Sequence, residues 1–263
     1  MTGRPLFVVT VLALVFTACG PGDQPETGAN DPILQIRSEG GFVPVEVALG
    51  TGPRYTLLGD GQLIHQGAQT MEFPAPLLPG YMMAQLTPSQ VDALLALVED
   101  IGLPGIDEET DNSASQYVAD ASTEVVTYWD DNGPHRLSVY ALGIEESPSA
   151  RNAAFLDLIE TLDRFTAEAD TENYVPETVR VIAGPGFVNQ DFQDTRSWPL
   201  DDDQTAWSEL ANGWTCRVLG SEVLDLFEDA TQATVWEEPD LFDFPSPVKL
   251  LVRPLLPGEP DCP

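Results

Sequence analysis

Residues 81–103, YMMAQLTPSQVDALLALVEDIGL, change period in mid-run, and that change points to a chain mixing strands with helices. Tyr81 to Leu86 reads as a strand. Thr87-Pro88-Ser89-Gln90 then supplies an N-cap, a proline at the first helical position and a capping-box glutamine. Val91, Leu94, Leu95, Val98 and Ile101 recur at helical spacing on one face, and Gly102 with Leu103-Pro104 stops the helix.

Upstream, Ile33 to Arg37 reads as a strand, and Arg54 to Leu58 with Gln62 to Gln66 form a hairpin around Gly59-Asp60-Gly61. Downstream, the acidic stretch from Asp107 to Asp120 has no regular period and is expected to be a loop. Thr123 to Trp129 and His135 to Ala141 make a second hairpin around Asp130-Asp131-Asn132-Gly133, where Asn-Gly tolerates positive φ. Ser147-Pro148 opens a second helix with a stripe of Phe155, Leu158, Ile159, Leu162 and Phe165. This order predicts an α+β lobe over residues 33–170: an antiparallel sheet with helices on one face.

Past Asp170 the pattern restarts more weakly. Thr178 to Ala183 reads as a strand, followed by a long Gly/Pro/Asp-rich loop carrying Trp198 and Asp201 to Asp203. Trp214 to Leu219 is a strand, Ser221 caps a helix to about Ala233, and Thr234 to Glu237 pairs with Val248 to Arg253. Residues 171–263 are therefore expected to form a second α+β lobe or an extension of the first sheet. No short-period repeat appears, which argues against a solenoid or propeller.

The N-terminal segment sets the expected location. Arg4 is followed by an apolar run from Leu6 to Phe16, broken by Thr10, and Phe16-Thr17-Ala18-Cys19 resembles a bacterial lipobox. The run falls short of the roughly 20 apolar residues that a spanning helix needs. Residues 1–18 thus read as a lipoprotein signal peptide, cleaved before Cys19. A diacylglyceryl group on that sulfur, as the lipoprotein resemblance implies, makes anchoring stable because it inserts two acyl chains. Phe16 departs from the aliphatic residue usual there, and an ordinary secretory signal with an incidental cysteine is the alternative. Residues 19–32 form a Gly/Pro/Asp-rich tether that reaches about 20 Å as a random coil.

Composition narrows the partners. The chain has 263 residues, 43% of them hydrophobic, and a formal net charge of −32. It can bury a real core. Such a surface repels phosphate backbones, so nucleic acid is excluded as a partner and anionic membranes are disfavoured. Lys249 is the single lysine among 11 basic residues, against 43 acidic ones. Because the acids are spread along the chain, a solvated surface adapted to salt explains them better than a cation-collecting one. Of three cysteines, Cys19 is assigned to lipid, leaving Cys216 and Cys262 for a disulfide in an oxidising compartment. Closing that loop is worth on the order of 4 kcal/mol in the chain-entropy model; the alternative is two free thiols.

Beyond the tether, four runs carry a family resemblance: Gly40-Gly41-Phe42-Val43-Pro44, Leu58-Gly59-Asp60-Gly61, His135 to Gly143, and Arg253-Pro254-Leu255-Leu256-Pro257-Gly258-Glu259 with Cys262. In these the chain resembles actinobacterial exported proteins and lipoproteins that have no assigned activity. The resemblance implies export and fold, and it supplies no catalytic residues.

Candidate chemistry is sparse. Only His65 and His135 offer imidazole bases at neutral pH. His135 shares a strand face with Leu137 and Val139, which suggests a core-edge histidine, and His65 lies beside Leu63 in the first hairpin. Neither a Gly-x-Ser-x-Gly elbow, a phosphate loop nor a His-Glu-x-x-His pair is present. Asp107, Glu109 and Asp111 have the alternate spacing of EF-hand ligands, but Asn112 replaces the turn glycine and Val118 the bidentate glutamate. No catalytic set, metal site or cofactor is expected. Among the five tryptophans, Trp198 beside Arg196 in the long loop is the best candidate for binding a ligand or partner, whereas Trp129 and Trp236 lie in strands. The sequence thus favours a lipid-anchored extracytoplasmic binding module without catalysis, with a protein or envelope component as partner. The alternatives are a carboxylate-dependent envelope hydrolase and a low-affinity divalent-cation binder.

Overall fold

The computed structural model of the protein describes residues 28–69, 71–186, 194–201, 206–210, 213–237, 242 and 247–262. The predicted signal peptide, Cys19 and most of the tether lie outside these residues, as do Asp202 and Asp203 of the acidic run. The chain has mixed α+β content organised in two sheets.

The first sheet contains β1 (Pro32–Gly40), β2 (Tyr55–Leu58), β3 (Gln62–Gln66), β4 (Tyr81–Gln85), β5 (Glu108–Asp111), β6 (Ser122–Asp130), β7 (Gly133–Tyr140) and β8 (Thr171–Asn173), in the order β5-β7-β6-β1-β2-β3-β4-β8. The predicted hairpins are present in register: Thr56 lies opposite Ile64, and Val126 opposite Leu137. Between the strands run α1 (Val45–Gly50), α2 (Pro88–Ile101) and α3 (Ala150–Glu168). In α2 the capping box forms as read, with Thr87 N–H donating to Gln90 Oε1 at 2.9 Å, and Gly102 closes the helix at φ 82°. Val91, Leu94, Val98 and Ile101 of α2 join Phe155, Leu158, Leu162 and Phe165 of α3 in one core with Leu34, Ile36, Val126, Leu137 and Val139 of the sheet.

The second sheet contains β9 (Thr178–Pro185), β10 (Asp194–Ser197), β11 (Ser208–Glu209), β12 (Thr215–Gly220), β13 (Thr234–Glu237) and β14 (Val248–Pro254), in the order β10-β13-β14-β9-β12-β11. Val179, Val181, Ala183, Leu250 and Val252 pack with Phe227 and Trp236, while Ile182 and Leu251 pack with Trp214, Cys216 and the Val45 and Leu49 side chains of α1. Gly184 is required beside Trp214, since a Cβ there would sit 2.3 Å from the indole.

Pairing is mostly antiparallel, with two parallel exceptions, β5 on β7 and β10 on β13, each at a sheet edge. Strand β5 overturns the expected loop. Its acidic residues carry no apolar alternation, and it is secured instead by backbone pairing and by α3, where Arg151 meets Glu109 at 2.5 Å and Asn152 donates to Asp111 at 3.2 Å. The helix expected from Ser221 to Ala233 is also corrected: a 3₁₀ helix ends at Phe227, and Thr231 to Ala233 turn the chain into β13. Leu224 and Phe227, three residues apart, then face the same core.

Candidate functional site

The sequence-selected residues fall in separate places. Cys216 and Cys262 are disulfide-bonded, with Cα atoms 5.8 Å apart. The bond holds the tail 255–262 where the two sheets meet. There Gln35 Nε2 donates to Pro257 O at 3.1 Å, and Leu256 is buried with Leu58, Ile64 and Tyr81. Arg253 forms a bidentate pair with Glu259, both bonds 2.8 Å, and Arg180 Nη1 lies 3.7 Å from the same carboxylate. Arg180 also donates to Asp261 O at 3.0 Å and to Pro260 O. These side chains are no more than 4% exposed. Burial, with the charge of Arg253 second, pushes the Arg180 guanidinium down to about 10. Gly52 permits the approach, because a Cβ there would collide with the Tyr81 hydroxyl and crowd Arg253 Nη1.

Arg196 is occupied within the protein. Its Nε donates to Asp194 at 2.5 Å and its Nη2 to Asp229 O at 2.6 Å. Trp198, half-buried, packs with Trp207 and Phe242 at ring distances of 6.2 and 5.7 Å on the second core. His135 is buried, with Nδ1 2.5 Å from Ile106 O and Nε2 3.0 Å from Asp130 Oδ1, and its ring stacks on Tyr128. The hydrogen bonds raise the His135 pKa, and the same contact holds Asp130 below its ordinary value. His135 therefore works as a structural ion-pair partner. His65 Nδ1 bonds to Gln66 O at 3.0 Å, which places the proton on Nδ1, and Nε2 is buried without a hydrogen-bond partner.

His65 also lines a cavity of about 430 Å³ with Arg54, Tyr55 and Asp163. Asp163 accepts from Arg54 at 2.6 Å and from the Tyr55 hydroxyl. Burial, then the bond to Asp163, pushes the Tyr55 phenol up to about 12. A hydrolase acid needs a carboxyl whose pKa is raised. Among the described residues the two carboxylates with displaced values, Asp111 and Asp130, are both lowered by hydrogen bonding. A cavity of about 360 Å³ at the meeting of the sheets is lined by Gln66, Gln69, Tyr81, Gln232 and Lys249 among others.

The most distinctive surface lies where β1, β6 and β7 end together, with Gly40 opposite Ser122 and Thr123 opposite Tyr140. Three loops leave this end, and each exposes apolar surface: Phe42 is 88% and Val43 45% exposed, Tyr117 65% and Ile144 56%. They are tied to one another. Phe42 N–H donates to Asp120 O at 3.4 Å, Ala141 N–H to Ser122 O at 2.9 Å, and the Tyr117 hydroxyl to Glu145 at 3.0 Å. Tyr140 bridges the middle loop, donating to Val118 O and accepting from Ala121 N–H. The backbone here is strained: Asp120 at φ 60° and Ala141 at φ 56° are the two non-glycine residues with positive φ among the described residues, and both sit in these loops. Left-handed Gly40, Gly41 and Gly143 turn the chain beside Phe42 and Ile144.

Asp120 and Glu146 are exposed around this end, with Glu124 and Glu145 half-buried. Nearby cations are engaged: Arg37 and Arg136 both bond Glu39, and Arg151 bonds Glu109. Phe42 and Val43 stand in a glycine-led run whose local pattern does not mark them as a surface, and Tyr117 and Ile144 fall outside the patterned runs. The available signal was an apolar residue directly after a glycine, at Gly41-Phe42 and Gly143-Ile144. No protein-family model, no curated protein and no solved structure matches this chain.

Proposed function

We propose that the protein is a lipid-tethered, extracytoplasmic binding module that engages its partner through the loop end of the first sheet. The observation that carries this reading is the exposed apolar group Phe42, Val43, Tyr117 and Ile144, raised on strained loops and bordered by carboxylates. Stable surfaces rarely leave linked aromatic and aliphatic side chains in water unless something covers them. The Cys216–Cys262 bond supports residence in an oxidising compartment, and the run ending at Cys19 supports the anchor. In the same reading the chain forms two lobes, with α2 and α3 covering one face of the first sheet.

In-cell crosslinking of the anchored protein, followed by mass spectrometry, tests the binding role. Recurrent recovery of one partner is expected. Repeated recovery of none, together with turnover of a small molecule, overturns it. Intact-mass measurement of the mature protein tests the anchor, which fails if Cys19 carries no lipid.

A second reading, a carboxylate-dependent envelope hydrolase, draws on the Arg54, Tyr55, His65 and Asp163 cavity. Hydrolysis of an envelope glycan that disappears in Asp163→Asn would favour it.

A further inference from the structure

Resting on the binding-module reading, we propose that the loop end of the first sheet docks a cationic polypeptide segment in which lysine or arginine flanks an apolar anchor residue. The contact surface is Phe42, Val43, Tyr117 and Ile144, whose exposure supplies the apolar half of the recognition. Charge supplies the other half. Asp120, Glu124, Glu145 and Glu146 lie in or beside the same loops, and the three nearby arginines are held by Glu39 and Glu109. With the whole chain at −32, an anionic occupant meets repulsion and, among the described residues nearby, arginines already paired with carboxylates, whereas a basic segment is attracted. Anionic lipid, nucleic acid and phosphate polymers are disfavoured on the same ground.

Orientation separates a polypeptide from the protein's own bilayer. The tether enters at Pro32 and the patch begins at Gly40, so the length of β1 stands between them, about 26 Å at 3.3 Å per residue. A globule leashed at the Pro32 end presents the opposite end away from the membrane. The loops are also tied together: Asp120 and Ala141 hold costly left-handed conformations, the Phe42 N–H donates to Asp120 O, and the Tyr117 hydroxyl bonds Glu145 of the third loop. A docking segment therefore orders little besides itself.

The test uses the full mature chain and a fluorescent peptide, Lys-Leu-Lys-Phe-Lys-Leu-Lys, with Glu-Leu-Glu-Phe-Glu-Leu-Glu as its counterpart, followed by anisotropy. The basic peptide is expected to bind, the acidic one not, and affinity is expected to fall as NaCl rises. The deciding variant is Phe42→Ser with Ile144→Ser, which leaves net charge unchanged and touches only exposed positions. It is expected to weaken binding at least tenfold. Unchanged affinity in that variant means diffuse attraction to an acidic surface and overturns the proposal, as does failure of the wild type to bind. Retention on neutral phosphatidylcholine vesicles that depends on Phe42 assigns the patch to a membrane and also overturns it. These outcomes are distinct from failure of the tethered-module reading, which the lipid mass on Cys19 and the in-cell crosslink judge separately.

Discussion

The joint where the two sheets meet and the loop end of the first sheet solve opposite problems with opposite means. At the joint, Arg180, Arg253 and Glu259 are taken out of water; one carboxylate and carbonyls of the tail meet most of their polar atoms, and Arg253 Nε is left buried without a hydrogen-bond partner. At the loop end, apolar side chains are pushed into water on a backbone held in left-handed conformations. The first arrangement costs desolvation and gains a unique geometry; the second costs exposed apolar area and gains only when a partner covers it. On the proposed binding reading, stability and recognition are therefore written in different parts of the chain. Substitutions at the two places should separate accordingly.

The largest effect is expected from Glu259→Gln, which leaves two buried guanidiniums without their carboxylate. Urea denaturation should show a loss of about 5 kcal/mol, at the upper end for breaking a buried ion pair, or no folded state at all. A loss below about 1 kcal/mol would mean that water already reaches the joint. Next comes Cys216→Ser with Cys262→Ser. Freeing a 46-residue loop is worth on the order of 4 kcal/mol, and hydrogen exchange should quicken first in the tail and around Arg180. Uniform acceleration across the first sheet would erase the distinction drawn between the joint and the loop end.

His135 sharpens the comparison from inside the first sheet. Its folded pKa is raised, so its contribution is complete below about pH 6.5 and is lost as pH climbs through the raised value. Asp130 is lowered, so its contribution is present above about pH 4 and is lost as pH falls through the lowered value. The pair stabilises most between those limits. His135→Gln should therefore cost about 1 kcal/mol near pH 6 and less near pH 9; a pH-independent cost would remove the charge from the explanation. The smallest effect on folding belongs to Phe42→Ser with Ile144→Ser, expected to shift stability by no more than about 0.5 kcal/mol. Marked destabilisation would show that the loop end is part of the fold's support.

Much of the frame could be read from local patterns. The capping box at Thr87 and Gln90 and the cysteine count act over a few residues or by elimination, and each has its counterpart in the structure, whereas in the second hairpin the turn centres on Asp131 and Asn132 and only Gly133, opposite Asp130 at the start of β7, takes positive φ. What escaped is non-local or unpatterned. Strand β5 has acidic side chains and no alternation, so pairing with β7 and the grip of Arg151 and Asn152 had no trace in its own sequence. The joint was hidden because Glu259 reads as one of 43 acids until β14 lies against β9. Phe42 was visible as a residue, but whether an apolar side chain after two glycines turns inward or outward depends on loops some 75 and 100 positions away. The histidines were legible in kind: His135 shares a core face as alternation required, while its carbonyl partner, Ile106, came from another segment.

The hydrogen bond from Arg180 to Asp261 joins residues 81 positions apart, one in β9 and the other in the segment that follows β14. A polypeptide synthesised from its N-terminus thus exposes the first half of this joint long before the other half exists. Until residues 248–261 emerge, Arg180 must wait in water, and β9 lacks one of its two neighbours. The second sheet can close only after β14 and the segment to Asp261 have been made, so a chain stalled before Val248 would present an unfinished edge rather than a smaller folded protein.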